Sequence, residues 1–545
     1  MRRTRALFTL VTAAALALAA GCGGSTSPSD SLPAAAASGT AAETAGDPQT
    51  GGSITVGVQP PCGLDKAQTS GCNFIANAVV DNLTEQVPAT GEIVPWLATS
   101  WEISEDQQSY TFHLQDGVTF SNGEVLDATA VKTFFDDVIE LGKQGKAFQS
   151  SAYLLGYQGS EVVDPLTITV SFDRPKAGLL QALSEKPLGI VAPETIRTKT
   201  PDERLAEGVI GSGPFVIEEV VPNQRVVLTK RADYEWSSPK NAHVGPAYLD
   251  RVTFQFLPEN SVRTGSLTSG EIQVESAVPA TDVDLLKGQG FEIAARASAG
   301  IPYYYAVNLR DPILSQEPVR QALQVALDRP EIVDTVFTEY QAPATGILSR
   351  THPNYVDLSD ELAYAPDRAA QLLDEAGWTE GADGIRQRDG RPLTITVQSS
   401  SSGDQPLHEL VQQQLRRIGI DLQIQQLTQA QISENRAAGN WQLLYSNLTR
   451  PDGDVLVSYF DPDFSTYLTE SYDPELEQLL SEQTSELDVA QRQELLAQIQ
   501  QIVIERGYGI PVNESSQTLA FAPEVHGVDF EAPWWPTFVD TWIEQ

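Results

Sequence analysis

Positive charge is in short supply in this chain of 545 residues. Thirty-five Lys and Arg face 73 Asp and Glu, for a formal net charge of −38. A surface this negative repels phosphate backbones, and no basic cluster offsets it, so nucleic acid is excluded as a partner. Past the first 20 positions no apolar run reaches the ~18 residues that a membrane span needs, which excludes an integral channel or transporter. Histidine is sparse too: the five at 113, 243, 352, 408 and 526 form no metal-binding run, although folding can bring distant ones together.

Catalytic signatures are equally thin. There is no Gly-x-Ser-x-Gly, no phosphate-binding P-loop and no dinucleotide Gly-x-Gly-x-x-Gly. Ser237-Ser238-Pro239-Lys240 matches the Ser-x-x-Lys of a serine nucleophile, but the companion Ser-Asp-Asn and Lys-Thr-Gly motifs are missing, and Ser-Ser-Pro reads as a turn. His408-Glu409 begins a zinc-protease helix, yet Gln412 stands where the second histidine is needed, so His408 is expected on a solvated helix face. Acidic pairs are too plentiful for any one to stand out as an acid/base couple. The expectation is a protein that is no enzyme and needs no cofactor, with a secreted hydrolase using Ser237 as the outlying alternative.

What is present is globular. Apolar residues make up 41% and charged ones 20%, enough for a large core, and the length suggests about three domains. Arg2, Arg3 and Arg5 precede an uncharged apolar run at 6–20, which as a helix would reach only about 22 Å. That pattern predicts a signal peptide over 1–21, with general secretory and twin-arginine export both open. Leu18-Ala19-Ala20-Gly21-Cys22 resembles the bacterial lipobox, whose cysteine is acylated, and Cys22 is the expected lipidation site. Residues 22–51 are almost all Gly, Ser, Thr, Ala, Pro and Asp, a flexible tether of about 30 Å. A body this acidic gains nothing from an anionic surface, so lipid would hold it at the membrane. Cys62 and Cys72 remain; an exported, oxidising setting favours a disulfide between them, and a metal pair is the rival reading.

From residue 52 strand and helix signals alternate. Polar–apolar alternation predicts strands at 53–58, 110–114, 166–172, 252–256, 393–397 and 420–424. Val319, Ala322, Leu323, Ala326 and Leu327 recur at helical spacing, with Pro330 closing the segment. Further helices are expected before Gly377 and Gly419, after the Asp473-Pro474 cap, and from Val489 to Val503. The alternation predicts α/β lobes with mixed sheets.

Several stretches, in order, carry a resemblance. Residues 91–102 read Gly-Glu-Ile-Val-Pro-Trp-Leu-Ala-Thr-Ser-Trp-Glu. Tyr110-Thr111-Phe112, Phe120-Ser121-Asn122-Gly123 and Ala128-Thr129-Ala130-Val131 follow, then Gly211-Ser212-Gly213-Pro214-Phe215 and Asp233-Tyr234. Val319-Arg320-Gln321-Ala322-Leu323 with Ala326-Leu327-Asp328-Arg329, the turn Ala376-Gly377-Trp378 and the segment 492–502 complete the series. Together they resemble the peptide- and nickel-type (dipeptide- and oligopeptide-binding) solute-binding lipoproteins of ABC importers. Most of these motifs look structural; Arg320 and the Asp328-Arg329 pair are expected in buried or helix-end ion pairs.

The resemblance implies an α/β, periplasmic-binding-protein-like (class II / cluster C) two-lobe fold with an extra domain. Domain I would combine 52–83, 196–304 and 510–545, domain II 84–195 and domain III 305–509. It also implies a monomer on the outer face of the cell membrane that passes a small solute, foremost a peptide, to an ABC permease and its ATPase subunits. Nickel chelates, siderophore-like compounds and oligosaccharides are the alternative cargo. In peptide-binding members a third-domain aspartate holds the α-amine; here that role maps to Asp452, or to Asp454, with Arg450 beside them. The same mapping suggests Tyr303, Tyr305, Asn308, Tyr153, Phe148, Gln68 and Ser70 as further solute contacts, with alternation putting Tyr303 and Tyr305 on one face and Tyr304 on the other.

Overall fold

The alternating stretch Ser53–Val58 is the middle strand of a seven-stranded mixed sheet. The order is Glu292–Ala297, Ser516–Phe521, Val274–Ser276, Ser53–Val58, Arg251–Phe256, Arg225–Lys230, Phe215–Val221. Ser53–Val58 pairs in parallel with both neighbours, and every other pairing is antiparallel. The computed structural model describes residues 46–59, 63–69, 73–465, 467 and 470–545. Cys22, Cys62, Cys72 and Ser70 lie outside them, as does the Phe148 side chain.

A four-stranded antiparallel sheet follows in the order Ala98–Ile103, Ser109–Leu114, Thr167–Phe172, Tyr157–Asp164. Along Ser109–Leu114 every second side chain is buried, as its sequence alternation demands. The helix Ala128–Lys143 covers it. Asp127 caps that helix by accepting from the Ala130 N–H at 2.9 Å, and Val131, Phe134, Phe135 and Val138 form its buried stripe. One continuous apolar core joins this sheet to the seven-stranded one.

The third sheet has five strands: Asp421–Gln426, Thr394–Ser399, Leu443–Thr449, Gly300–Val307 and Gly509–Asn513. Helices cover both faces, giving it two cores. Within Gly300–Val307 the alternation at the tyrosines is as expected. Tyr303 and Tyr305 meet Tyr445 on one face, and Tyr304 packs on Tyr459 and Phe460 on the other. The chain passes between the two large sheets at 298–299 and again at 514–515. The boundaries suggested at 304/305 and 509/510 fall inside strands of the five-stranded sheet.

Six strand and five helix expectations have counterparts, with informative differences. Pro330 opens a helix of its own, Arg329–Val336, capped by Asp328, which accepts from the Glu331 N–H at 3.0 Å. The buried arginines also depart from expectation, since neither forms an ion pair among the described residues. Arg320 donates to the carbonyls of Leu314, Ser315 and Arg506, and Arg329 to those of Pro511, Gln324 and Leu362. They act as staples that tie the carbonyls of helix ends, loops and the strand Gly509–Asn513 together. Burial pushes the Arg329 guanidinium down to about 9. Replacing Arg329 with leucine leaves several interior carbonyls unpaired; we expect a loss of about 3 kcal/mol in chemical denaturation, and no loss would contradict the staple role.

Candidate functional site

Where the two bodies meet lies a cavity of about 230 Å³. One wall comes from the seven-stranded body: Lys66, Glu85, Gln86 and residues 531–535 of the C-terminal hairpin. A second comes from the four-stranded region, with Gln149 and residues 184–187. Residues 447–449, at the end of Leu443–Thr449, close the opposite side. Strand ends and loops that converge from three sheets can surround a small molecule without distorting any sheet.

Its charges are mixed and desolvated. Burial pushes the Lys66 ammonium down to about 8, against the pull of Glu185 and Glu531. Burial also lifts the Glu185 carboxyl to about 7, although Gln181 donates to it at 2.8 Å and Arg450 lies close enough to draw it down. Lys186 sits 3.7 Å from Glu531 and over the Trp96 ring at 4.8 Å. Glu531 accepts from Asn77 at 2.7 Å, and Glu85 from Ser238 at 2.5 Å. A solute entering here meets both signs of charge, several amides and the indoles of Trp534 and Trp535.

The loop 450–454 is built differently from a free amine-binding carboxylate. Asp452 is buried and forms a two-pronged ion pair with Arg492 of the helix Val489–Glu505, at 2.5 and 2.8 Å. Burial raises its pKa, but Arg492, joined by the Asp454 N–H and His352, outweighs burial and holds the carboxyl at about 2. Asp454 pairs with Arg450 at 3.3 Å. Arg450 in turn lies over the Tyr153 ring at 4.7 Å, linking this loop to the four-stranded region. The same contact surface includes the Ala177 N–H donating to Thr484 O at 3.0 Å and Gln86 Nε2 donating to Pro451 O at 3.3 Å. Gly178 fits there because a Cβ would stand only 3.3 Å from Asp452 Oδ1 and 3.4 Å from Asp454 Oδ2.

The other expected residues are scattered. Tyr305 is buried in the core and bonds His408 Nδ1 through its hydroxyl at 2.9 Å. His408 is therefore not solvated: it is fully buried, and burial lowers it to about 4. Tyr303 is half-buried and stacks on Tyr445 with ring centres 4.7 Å apart. Asn308 is buried and donates to Trp441 O at 2.7 Å, tying two segments of one body together. Gln68 donates to Asp65 at 2.7 Å and to Pro201 O at 2.9 Å, within the seven-stranded body. Ser237 exchanges hydrogen bonds with the Gly245 backbone at 2.9 and 3.2 Å, closing a turn as its Ser-Ser-Pro context suggests. Among described residues, none of these expected contacts lines the cavity; Gln149, next to Phe148, does.

The residues that do line it were missed for a physical reason. Lys66, Glu185, Glu531 and Trp534 lie in four segments with no shared spacing, and only the fold brings them together. The pair Trp534-Trp535 between Pro533 and Pro536 was the one available signal: two indoles on a proline-bounded turn are costly to expose.

Known binding proteins are similar to this chain. The Nickel-binding periplasmic protein of Escherichia coli (strain K12) is 25% identical over 489 residues, covering 84% of this chain and 88% of the relative. Glutathione-binding protein GsiB of Salmonella typhimurium (strain LT2) is 27% identical over 329 residues, and the match spans 60% of each chain. The crystal structure of NikA from Brucella suis in complex with Fe(III)-EDTA superposes with a TM-score of 0.78 at 25% identity, covering 90% of this chain and all of that one. The fold is thus the two-lobed binding-protein fold with mixed sheets, and no helix among the described residues is long and apolar enough to cross a membrane. Residues 92–469 match bacterial extracellular solute-binding proteins, family 5 Middle, and the chain belongs to that family of ABC-importer receptors.

Proposed function

We propose that the protein captures a small peptide-like solute between its lobes and presents it to an ABC permease. The observation that carries this reading is the 230 Å³ cavity, walled by three parts of the chain and holding charges of both signs. Glu185 near 7 and Lys66 near 8 are each poised to change ionisation, so a zwitterion brings the charge that each of them lacks. Glutathione, the ligand in the name of one relative, is itself a tripeptide. The nickel-binding relative, which matches over most of both chains, supports a second reading in which a metal chelate fills the same cavity. Asp452, Asp454, Arg450 and Tyr153 enter this proposal as the contact that holds the lobes together. Tyr303, Tyr305, Asn308 and Gln68 enter it as supports of the bodies that wall the cavity, and the expected contacts at Phe148 and Ser70 fall outside the described residues.

We further propose that Cys22 carries lipid, that Cys62 and Cys72 pair, and that the protein acts as a monomer at the outer face of the cell membrane. The test is a thermal-shift panel of di- to tetrapeptides, nickel(II)–histidine and maltotriose, with native mass spectrometry of freshly purified protein. A bound solute at 100 times its Kd adds about 2.7 kcal/mol, so peptides are expected to raise the Tm clearly. A panel in which no compound moves it, together with no co-purified small molecule, removes the proposal.

A further inference from the structure

Trp534 holds its backbone at φ = +137°. The other described non-glycine residues with positive φ lie between +53° and +60°, in the left-handed basin that L residues occasionally visit. Trp534 is outside that basin, in a region that a bulky side chain adopts only when its surroundings impose it. They do. Glu531 N donates to Trp535 O at 2.8 Å and Trp534 N to Glu531 O at 3.1 Å, closing a tight tip between the paired strands Asp529–Phe530 and Pro536–Thr537. Ala299 N reaches Pro533 O at 3.3 Å, and Arg296 Nη2 reaches Ala532 O at 3.4 Å, from the lobe crossing. The Glu531 carboxylate is pinned by Asn77 and Lys186.

The strain has a visible result: the hairpin tip puts Trp534 and Trp535, ring centres 5.3 Å apart, into the cavity wall. The Trp534 indole N–H is buried and finds no acceptor among the described residues. Buried indole N–H groups are normally paired. Here a donor without a partner, on a backbone held in a costly conformation, belongs to a side chain that lines the space where a solute would sit.

We propose that Trp534 reads the solute: its indole N–H donates to an amide or carboxylate oxygen of a small peptide-like molecule whose apolar flank lies against Trp535. This rests on the solute-capture reading and sharpens it to one donor. It also specifies the ligand class, since a carbonyl or carboxylate oxygen is a stronger acceptor than a sugar hydroxyl.

The experiment compares wild type with Trp534→Phe, which keeps one aromatic ring and removes the N–H together with the second ring of the indole, and with Trp534→Gly, which also relieves the backbone. Each is titrated calorimetrically with the peptide that shifts wild type most in the panel of di- to tetrapeptides, nickel(II)–histidine and maltotriose. Trp534→Phe is expected to bind that peptide about 10- to 100-fold more weakly, with the Tm of the solute-free protein nearly unchanged. Trp534→Gly is expected to lose binding as well, so a folding failure of one variant leaves the other to decide. Binding by both variants within twofold of wild type overturns the role of Trp534 while leaving solute capture standing. Wild type that responds only to maltotriose or nickel(II)–histidine overturns the ligand class. Wild type that responds to nothing removes the capture reading and this inference with it.

Discussion

Replacing Arg492 with leucine should cost about 3–5 kcal/mol, because it leaves the Asp452 carboxylate buried and without its partner. Asp452 also accepts from the Asp454 N–H at 2.8 Å, so it cannot swing out to water without undoing the turn that follows it. Adding Asp452→Asn to Arg492→Leu should recover most of the loss, since asparagine keeps the cap and carries no charge. The pH dependence gives a second check. In the wild type the folded carboxyl titrates at about 2, below its ordinary 3.8, so the pair's contribution is present above pH 4 and fades as pH falls through 2. In Arg492→Leu burial, the largest single influence, is opposed only by the Asp454 N–H and His352, and it lifts the folded pKa above the unfolded one. The deficit should then be largest at neutral pH and shrink as the solution is acidified towards pH 4. Urea denaturation at pH 4 and pH 7 for the four proteins of this cycle measures both effects. A single-variant loss below about 1 kcal/mol would mean that the pair is solvated and replaceable.

Gly211→Ala should be similarly damaging by another route. A Cβ there would stand 1.8 Å from the carbonyl oxygen of Val79, a backbone atom that cannot rotate away. The Gly-Ser-Gly-Pro-Phe segment crosses residues 78–80 at van der Waals distance, and the Ser212 carbonyl in the same turn accepts from Trp236 Nε1 at 3.1 Å and Arg231 Nη1 at 3.2 Å. Overpacking of this kind costs about 3 kcal/mol where the backbone must move. Gly117 is the control: its φ is +80° but nothing lies within 4 Å of its Cβ position, so alanine there should cost only about 1 kcal/mol of conformational strain. Thermal melts of the two variants should differ by several degrees, and equal Tm values would show that the Val79 crossing yields easily.

Local structure was largely legible from the residues. The strands at 53–58 and 109–114 show their alternation directly, and Asp473-Pro474 caps a helix as written, with Asp473 accepting from the Leu476 N–H. The family resemblance supplied the two-lobed architecture, which no local periodicity encodes. Charge partners were the opaque part. Asp452 and Arg492 are 40 residues apart, Lys66 and Glu185 further still, and an acidic chain offers every arginine many possible partners. Nothing along the sequence distinguishes a guanidinium that meets a carboxylate, as in Arg492, from one that meets only carbonyls, as in Arg329. His408 misled for a related reason: its helix, Gln405–Arg417, is polar on average, but position 408 falls on the narrow stripe that faces Tyr305.

The chain crosses between the lobes twice, and both crossings are tied down. Ser298 O accepts from Ser349 Oγ at 2.6 Å and Thr351 Oγ1 at 2.8 Å, and Glu514 N donates to Ala342 O at 2.8 Å. A single tether would let one lobe swivel over a cone of directions. Two anchored tethers side by side resist twist and sideways drift, and leave rocking about the line that joins them as the soft coordinate. Opening of the proposed cleft would thereby be reduced to one dimension, and each return stroke would bring the same two surfaces back into register.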